Sequence, residues 1–207
     1  MTLRIAVLLS GSGTTLENLV KERAQGRLDV EFTAVISSKT GAYGLERARN
    51  HGLPAHALPR SMYPDERAFN DAIHGVLAQD PPELVVLAGF LSRIELRGYN
   101  GRAMNTHPAL IPAFCGKGFY GERVHRAVLD YGAKVTGATI HYCDEQYDTG
   151  PIILQRAIDV HEDDTPATLG ARVAEVEREL YPRAIQLHAE GRLQIEGHRV
   201  RILPPGA

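Results

Sequence analysis

Short, fully apolar runs alternate along this chain with stretches in which apolar positions recur every three or four residues. Ile5-Ala6-Val7-Leu8-Leu9 is apolar at every position, the pattern of a strand buried on both faces of a parallel sheet. It runs into Ser10-Gly11-Ser12-Gly13-Thr14-Thr15, after which Leu16, Leu19 and Val20 share one helical face. A second strand ends in Val35-Ile36-Ser37-Ser38-Lys39, and Gly44–Arg49 belongs to a helix that stops near Gly52. The pattern then predicts a short strand around Pro54–Leu58, a helix across Asp65–Gln79 and a fourth strand over Glu83–Ala88. Lys134–Tyr142 alternates with period two, which predicts a strand with one face toward a site. A turn at Asp148-Thr149-Gly150-Pro151 precedes another strand from Ile152, and a long helix spans Thr165 to Glu190, with Asp163 or Asp164 near its N-terminus. Arg192–Val200 reads as a small hairpin around Gly197, and Pro204–Ala207 should fray.

Alternating strands and helices of this kind predict an α/β fold: a doubly wound, mostly parallel Rossmann-like sheet in a single domain, residues 1–207, of which 192–207 form a small hairpin and tail. Ligands in such sheets sit beyond the carboxyl ends of the strands. Three polar or glycine-containing segments leave such ends: Ser10–Thr14, Gly89–Arg93 and the stretch from His107 onward. At the first, strand, glycine turn and helix start place backbone N–H groups where a phosphate can sit. The dinucleotide fingerprint needs a third glycine where Leu16 stands, and no acidic residue closes the second strand. That departs from an NAD site and suits a phosphomonoester; a tight turn with no ligand would look the same.

Composition narrows the classes. The 207 residues are 43% hydrophobic and 23% charged, with a formal net charge of −2, which fits a soluble globular domain and offers no basic field for nucleic acid. Cys115 and Cys143 are too few for a disulfide framework and form no CxxC pair. No stretch approaches the roughly 20 apolar residues of a membrane span. The first residues enter a strand pattern directly, which leaves no room for a signal peptide and predicts a cytoplasmic enzyme.

The candidate chemistry gathers at Asn105-Thr106-His107-Pro108-Ala109-Leu110-Ile111-Pro112 and at Asp148 downstream. His107 can exchange a proton near neutral pH. Asn105 lies two residues before it, so on extended backbone both side chains point the same way. Pro108 and Pro112 favour a rigid exit from the strand. A strand end with a surface histidine and a proline turn would share this pattern. No HExxH or CxxC-type cluster is present, so no metal is expected, and Cys115 has no evident base partner for acyl-enzyme chemistry.

Asn105–Pro112 resembles the Asn-x-His-Pro-Ser/Ala-Leu-Leu/Ile-Pro signature of folate-dependent formyltransferases, and His141–Ile152 resembles that family's second signature, which ends in Asp-x-Gly-Pro. The resemblance runs from the first strand to about Arg192. It implies transfer of a formyl group from 10-formyltetrahydrofolate, a co-substrate, with Asn105, His107 and Asp148 as the catalytic residues. Within the family the chain most resembles the members whose acceptor is glycinamide ribonucleotide in purine synthesis. By the same resemblance Gly11, Ser12 and Gly13 hold the substrate's phosphoribose, Glu177 its ribose hydroxyls and His125 its phosphate, with Lys117 and Arg123 as alternatives to His125. Leu91, Ser92, Arg93, Ile94, Asn105 and, from the preceding helix, Arg67 line the folate pocket. Ser92 reads as an insertion relative to the family pattern, and Arg67 is offset by one. Partners would be these two small molecules, with no nucleic acid and no membrane, in a monomer or homodimer. A deformylase-like hydrolase, or a non-catalytic nucleotide-binding module, is the alternative reading.

Formyl transfer passes through a tetrahedral adduct bearing an oxyanion, so it needs donors aimed at that oxygen and a route for the amine's proton. The amide of Asn105 donates without titrating. The family places the aspartate where it raises the histidine's pKa, so the resemblance implies an imidazolium at His107, held by Asp148. The loop Ala113–Gly121, with three glycines and three aromatics, reads as a mobile flap over the ligand.

Overall fold

The computed structural model describes residues 2–206, and the chain divides into two compact units, Met1–Met104 and Asn105–Ala207. The expected tail of Pro204–Ala207 ends outside the described residues at Ala207. In the first unit β1 (Leu3–Leu9), β2 (Val30–Ser37), β3 (Ala55–Ala57) and β4 (Leu84–Leu87) alternate with helices α1 (Thr14–Ala24), α2 (Tyr43–Asn50) and α3 (Glu66–Leu77). Their order is β3-β2-β1-β4, and β1 pairs parallel with both β2 and β4. Ile5 through Leu9 have no exposed surface, as expected of a strand covered on both faces. The chain winds one way from β1 to β3 and then crosses back to β4, so the loops after β1 and β4 leave adjacent strand ends at the switch point where α/β sheets take ligands.

The second unit carries β5 (Ala103–His107), which begins in the last two residues of the first, then α4 (Glu122–Tyr131), β6 (Val135–Tyr142), β7 (Ile152–Asp159), α5 (Pro166–Ala189) and the hairpin β8 (Leu193–Glu196) and β9 (Arg199–Ile202). Strand order is β5-β6-β7-β9-β8. The β6–β7 and β8–β9 pairs are antiparallel, and β7–β9 is parallel. The mostly parallel α/β fold expected from the alternation is the fold observed. The hairpin turns at Gly197, whose φ of 61 places it in the left-handed region that favours glycine.

β6, predicted to turn one face toward a site, is buried on both faces from Thr136 through Tyr142. Its small and hydroxylated residues are there for close approach: a Cβ on Gly137 would overlap the Arg156 carbonyl and lie 2.9 Å from Leu110 Cδ2. Asp163 and Asp164 lie just before α5, as expected, and the cap itself is Thr165. Thr165 accepts from the Thr168 N–H, and the Thr168 hydroxyl accepts from the Thr165 N–H, a capping box with Pro166 at the first turn. Asp164 instead accepts from the Thr168 hydroxyl at 2.8 Å and pairs with Arg172.

Candidate active site

β5 delivers two of the three residues. Asn105 and His107 lie on one face of this extended segment, and Asp148 meets them there from the turn before β7. Asp148 Oδ2 is 3.5 Å from His107 Nδ1, and Asp148 Oδ1 accepts from Asn105 Nδ2 at 3.5 Å. Asp148 sits at φ 59, a left-handed conformation that short polar side chains tolerate. The Gly116 N–H donates to its Oδ2 at 2.9 Å, so the Gly-rich loop after Pro112 helps hold the carboxylate.

The exit from β5 is held by hydrogen bonds from the neighbouring strands. Thr139 on β6 donates to the Ala109 carbonyl at 2.7 Å and accepts from the Ile111 N–H at 3.1 Å. Gln155 on β7 donates to the Ile111 carbonyl at 3.0 Å and to Thr139 at 2.9 Å. Buried Thr139 and exposed Gln155 satisfy a segment that has left its ladder, so the rigidity expected of the two prolines rests on them as well.

His107 is only 3% exposed. Its Nε2–H donates to the Phe114 carbonyl at 2.9 Å; a carbonyl can only accept, so this nitrogen carries the proton and Nδ1 faces Asp148. Burial pushes the His107 pKa below the usual histidine value, and the Asp148 charge and Phe114 carbonyl pull it back only in part. Burial thus works against the imidazolium implied by the family resemblance. Burial, which acts against charge, outweighs a carboxylate held at 3.5 Å. Burial also works on Asp148, upward, but the bond to His141, the His107 charge and the Gly116 N–H outweigh it, and its pKa lies below the usual value.

His141 is a member of this cluster that the motif reading did not assign. Its Nδ1–H donates to the Tyr142 carbonyl at 2.9 Å, and its Nε2 faces Asn105 Nδ2 at 3.3 Å and Asp148 Oδ1 at 3.6 Å. The signal was available: His141 opens the second signature, on a strand aimed at the same carboxylate. Glu177 lies on α5, and its Oε1 accepts from the Thr106 hydroxyl at 2.6 Å. Burial raises its pKa, offset in part by that hydroxyl and by the Arg178 charge. His125 on α4 is buried against Gly170, and its Nδ1 has no hydrogen-bond partner among the described residues.

In the first unit, Gly13 is the N-cap of α1 at φ 72 with no side-chain cap, so the first N–H groups of the helix are not taken by a capping side chain. Arg47 donates to the Ser12 carbonyl at 3.0 Å and pairs with Glu17 at 2.8 Å. Ser37 and Ser38, at the end of β2, are both buried. Ser37 bonds the backbone of Lys39, and Ser38 bonds Ser10 at 2.6 Å. Those hydroxyls serve the fold. Ser10 in turn accepts from the Leu91 N–H at 2.9 Å, tying the loops after β1 and β4 together.

Leu91 is half exposed, Ser92 and Ile94 are partly buried, and Arg67 is exposed on α3. Arg93 lies 3.6 Å from Glu66. Asn70, fully buried, donates to the Arg93 carbonyl at 3.4 Å and accepts from the Glu95 N–H at 2.7 Å. A buried asparagine on an apolar helix face was the signal for that brace. Among the described residues no group of three or more His, Cys, Asp or Glu is arranged to hold a metal ion, and no helix is long and apolar enough to cross a membrane.

The formyl transferase family profile matches residues 3–185. Among solved structures, glycinamide ribonucleotide transformylase 1 from Symbiobacterium toebii is similar with a TM-score of 0.92 and 43% sequence identity, covering 98% of this chain and 95% of that one. Phosphoribosylglycinamide formyltransferase of Escherichia coli (strain K12) is 34% identical over 196 residues, 93% of this chain and 90% of that protein. The trifunctional purine biosynthetic protein adenosine-3 of Gallus gallus is 36% identical over 195 residues; this chain spans 19% of its length. With a profile matched along almost all of its length and both signatures meeting at one carboxylate, the chain belongs to the formyl transferase family.

Proposed function

We propose that residues 1–207 act as one formyltransferase domain, which transfers the formyl group of 10-formyltetrahydrofolate to the amino group of N1-(5-phosphoribosyl)glycinamide in purine synthesis. The observation that carries this reading is the meeting of Asn105, His107 and Asp148 in a chain similar, over 93% of its length, to a protein named for that reaction. Work in the cytoplasm, with two small-molecule substrates and no metal, belongs to the same proposal.

In the reaction the amine attacks the formyl carbon, an oxyanion develops, and the amine's proton ends on the departing folate nitrogen. Asn105 Nδ2 donates to the oxyanion. Its present contacts, 3.3 Å to His141 and 3.5 Å to Asp148, are long, and a developing charge offers a better acceptor. Neutral His107 takes the amine's proton at Nδ1, where Asp148 Oδ2 stabilises the imidazolium that forms, and then returns it to the leaving nitrogen. Gly11, Ser12 and Gly13 receive the phosphoribose, and Glu177 the ribose hydroxyls. His125 is a phosphate contact, since an anionic oxygen would satisfy its partnerless Nδ1. Leu91, Ser92, Arg93, Ile94 and Arg67, with Asn105, receive the folate.

One assay tests the reading: purified protein, a 10-formylfolate and the ribonucleotide, with absorbance of the deformylated folate followed in time. Folate product only when the ribonucleotide is present supports the transferase. Product without it means a deformylase, and tight nucleotide binding with no turnover means a binding module.

Two variants probe the ribonucleotide contacts. A Cβ at Gly11 meets nothing within 4 Å, whereas one at Gly13 would lie 2.5 Å from Gly44 Cα and on a left-handed backbone. Gly11→Ala should therefore keep wild-type stability and raise the ribonucleotide KM far more than the folate KM, because it blocks backbone approach to the phosphate. Gly13→Ala should lower the melting temperature. Equal damage to both KM values in Gly11→Ala would count against a phosphate cradle. Glu177→Ala should weaken ribonucleotide binding by about 1.5–3 kcal/mol, the range for hydrogen bonds to a charged group; unchanged binding would leave Glu177 a structural helix residue.

A further inference from the structure

Thr106 stands between Asn105 and His107 on β5, so its side chain leaves the opposite face of the strand. The motif leaves this position open, and here it carries a hydroxyl. Its Oγ1 donates to Glu177 Oε1 at 2.6 Å, in the range of a hydroxyl bonded to a carboxylate. Glu177 is anchored on α5 among Val173, Val176, Leu180 and Tyr181, none more than 7% exposed. We propose that Thr106 is a positioning residue for the ribonucleotide: it holds Glu177 Oε1, so that Oε2 and the remaining lone pair of Oε1 stay aimed at two neighbouring ribose hydroxyls. This inference rests on the ribose-binding role given to Glu177 above and extends it to a residue on the catalytic strand.

Three physical effects support it. A free glutamate side chain loses rotamer entropy when it clamps a diol, and one held in advance loses less. A carboxylate has about four acceptor sites, so one donor from Thr106 leaves room for both ribose hydroxyls. Burial disfavours the charged form of Glu177, and the Thr106 hydroxyl is the largest group acting in the other direction. Valine at this position would match the shape of threonine and supply no donor.

The test compares Thr106→Val, Thr106→Ala and Thr106→Ser with wild type, in the background of native Glu177 and of Glu177→Ala, with folding checked by thermal melts. Thr106→Val and Thr106→Ala should raise the ribonucleotide KM about tenfold or more and leave kcat and the folate KM within about twofold of wild type. Thr106→Ser should restore the ribonucleotide KM. In the Glu177→Ala background, Thr106→Val should add little, because the two residues act as one unit. An unchanged ribonucleotide KM, equal increases in both KM values, no rescue by serine or full additivity with Glu177→Ala would each overturn the inference while the transferase reading stands. A folded wild-type protein with no ribonucleotide-dependent rate would overturn that reading, and this inference with it.

Discussion

Asp148→Asn should lower kcat by about 10²–10³, the scale of losing one preorganised group aimed at developing charge, with little change in either KM. The amide keeps the shape of the carboxylate and can still accept from the Gly116 N–H, which now meets Oδ2 at 2.9 Å. What it removes is the charge that stabilises His107 when the proton arrives at Nδ1. The same change has a signature in pH. Asp148 is the strongest influence raising the His107 pKa against burial, so its loss lowers that pKa further. His107 works as the neutral base, so activity rises with pH as it deprotonates, and the acid limb of kcat/KM follows the free enzyme's His107. In Asp148→Asn that limb should move to lower pH while the plateau falls. His107→Ala should be at least as damaging, and the double variant should cost far less than the product of the single losses. Multiplicative losses, or a near-normal kcat with an unmoved limb, would reduce Asp148 to a turn residue.

Gly150→Ala should cost on the order of 3 kcal/mol or more of stability, at or above the upper end for forcing an atom into packed surroundings. An added Cβ would overlap the Tyr142 carbonyl oxygen and lie 2.8 Å from the Tyr142 carbonyl carbon. Backbone rather than a flexible side chain occupies that space, so the strands must part. Tyr142 N–H donates to the Pro151 carbonyl at 2.9 Å beside this point, and Asp148 is two residues away. Any folded fraction should therefore also show reduced kcat, because the carboxylate moves with the turn. Gly75→Ala is the control: a Cβ there meets nothing within 4 Å on helix α3, and it should stabilise by roughly 0.5–1 kcal/mol. Equal melting temperatures for Gly150→Ala and wild type would mean that the glycine of the second signature is there for some reason other than this approach.

Patterns carried by neighbouring residues were readable without coordinates. The burial of β1, the helix after the glycine turn, the hairpin at Gly197 and the common face of Asn105 and His107 all follow from a continuous apolar run, a turn residue, or a period of two or about 3.6 along a short stretch. The meeting of Asp148 with that face was readable only through the two signatures, since nothing local to Asp148 says which strand it approaches.

Other features depend on groups brought together from far along the chain. Nothing local to Ser37 and Ser38 says that their hydroxyls bond Lys39 and Ser10. Thr139 and Gln155 looked like ordinary strand residues, and they hold the exit from β5. Thr106 was the open position of a motif until α5 set Glu177 against it. The charge of His107 is the clearest case. A histidine with a nearby aspartate suggests an imidazolium, yet the outcome depends on how much water the fold removes from the ring and how closely the carboxylate approaches. Those are sums over every atom packed around the site, and burial prevails over a charge 3.5 Å away.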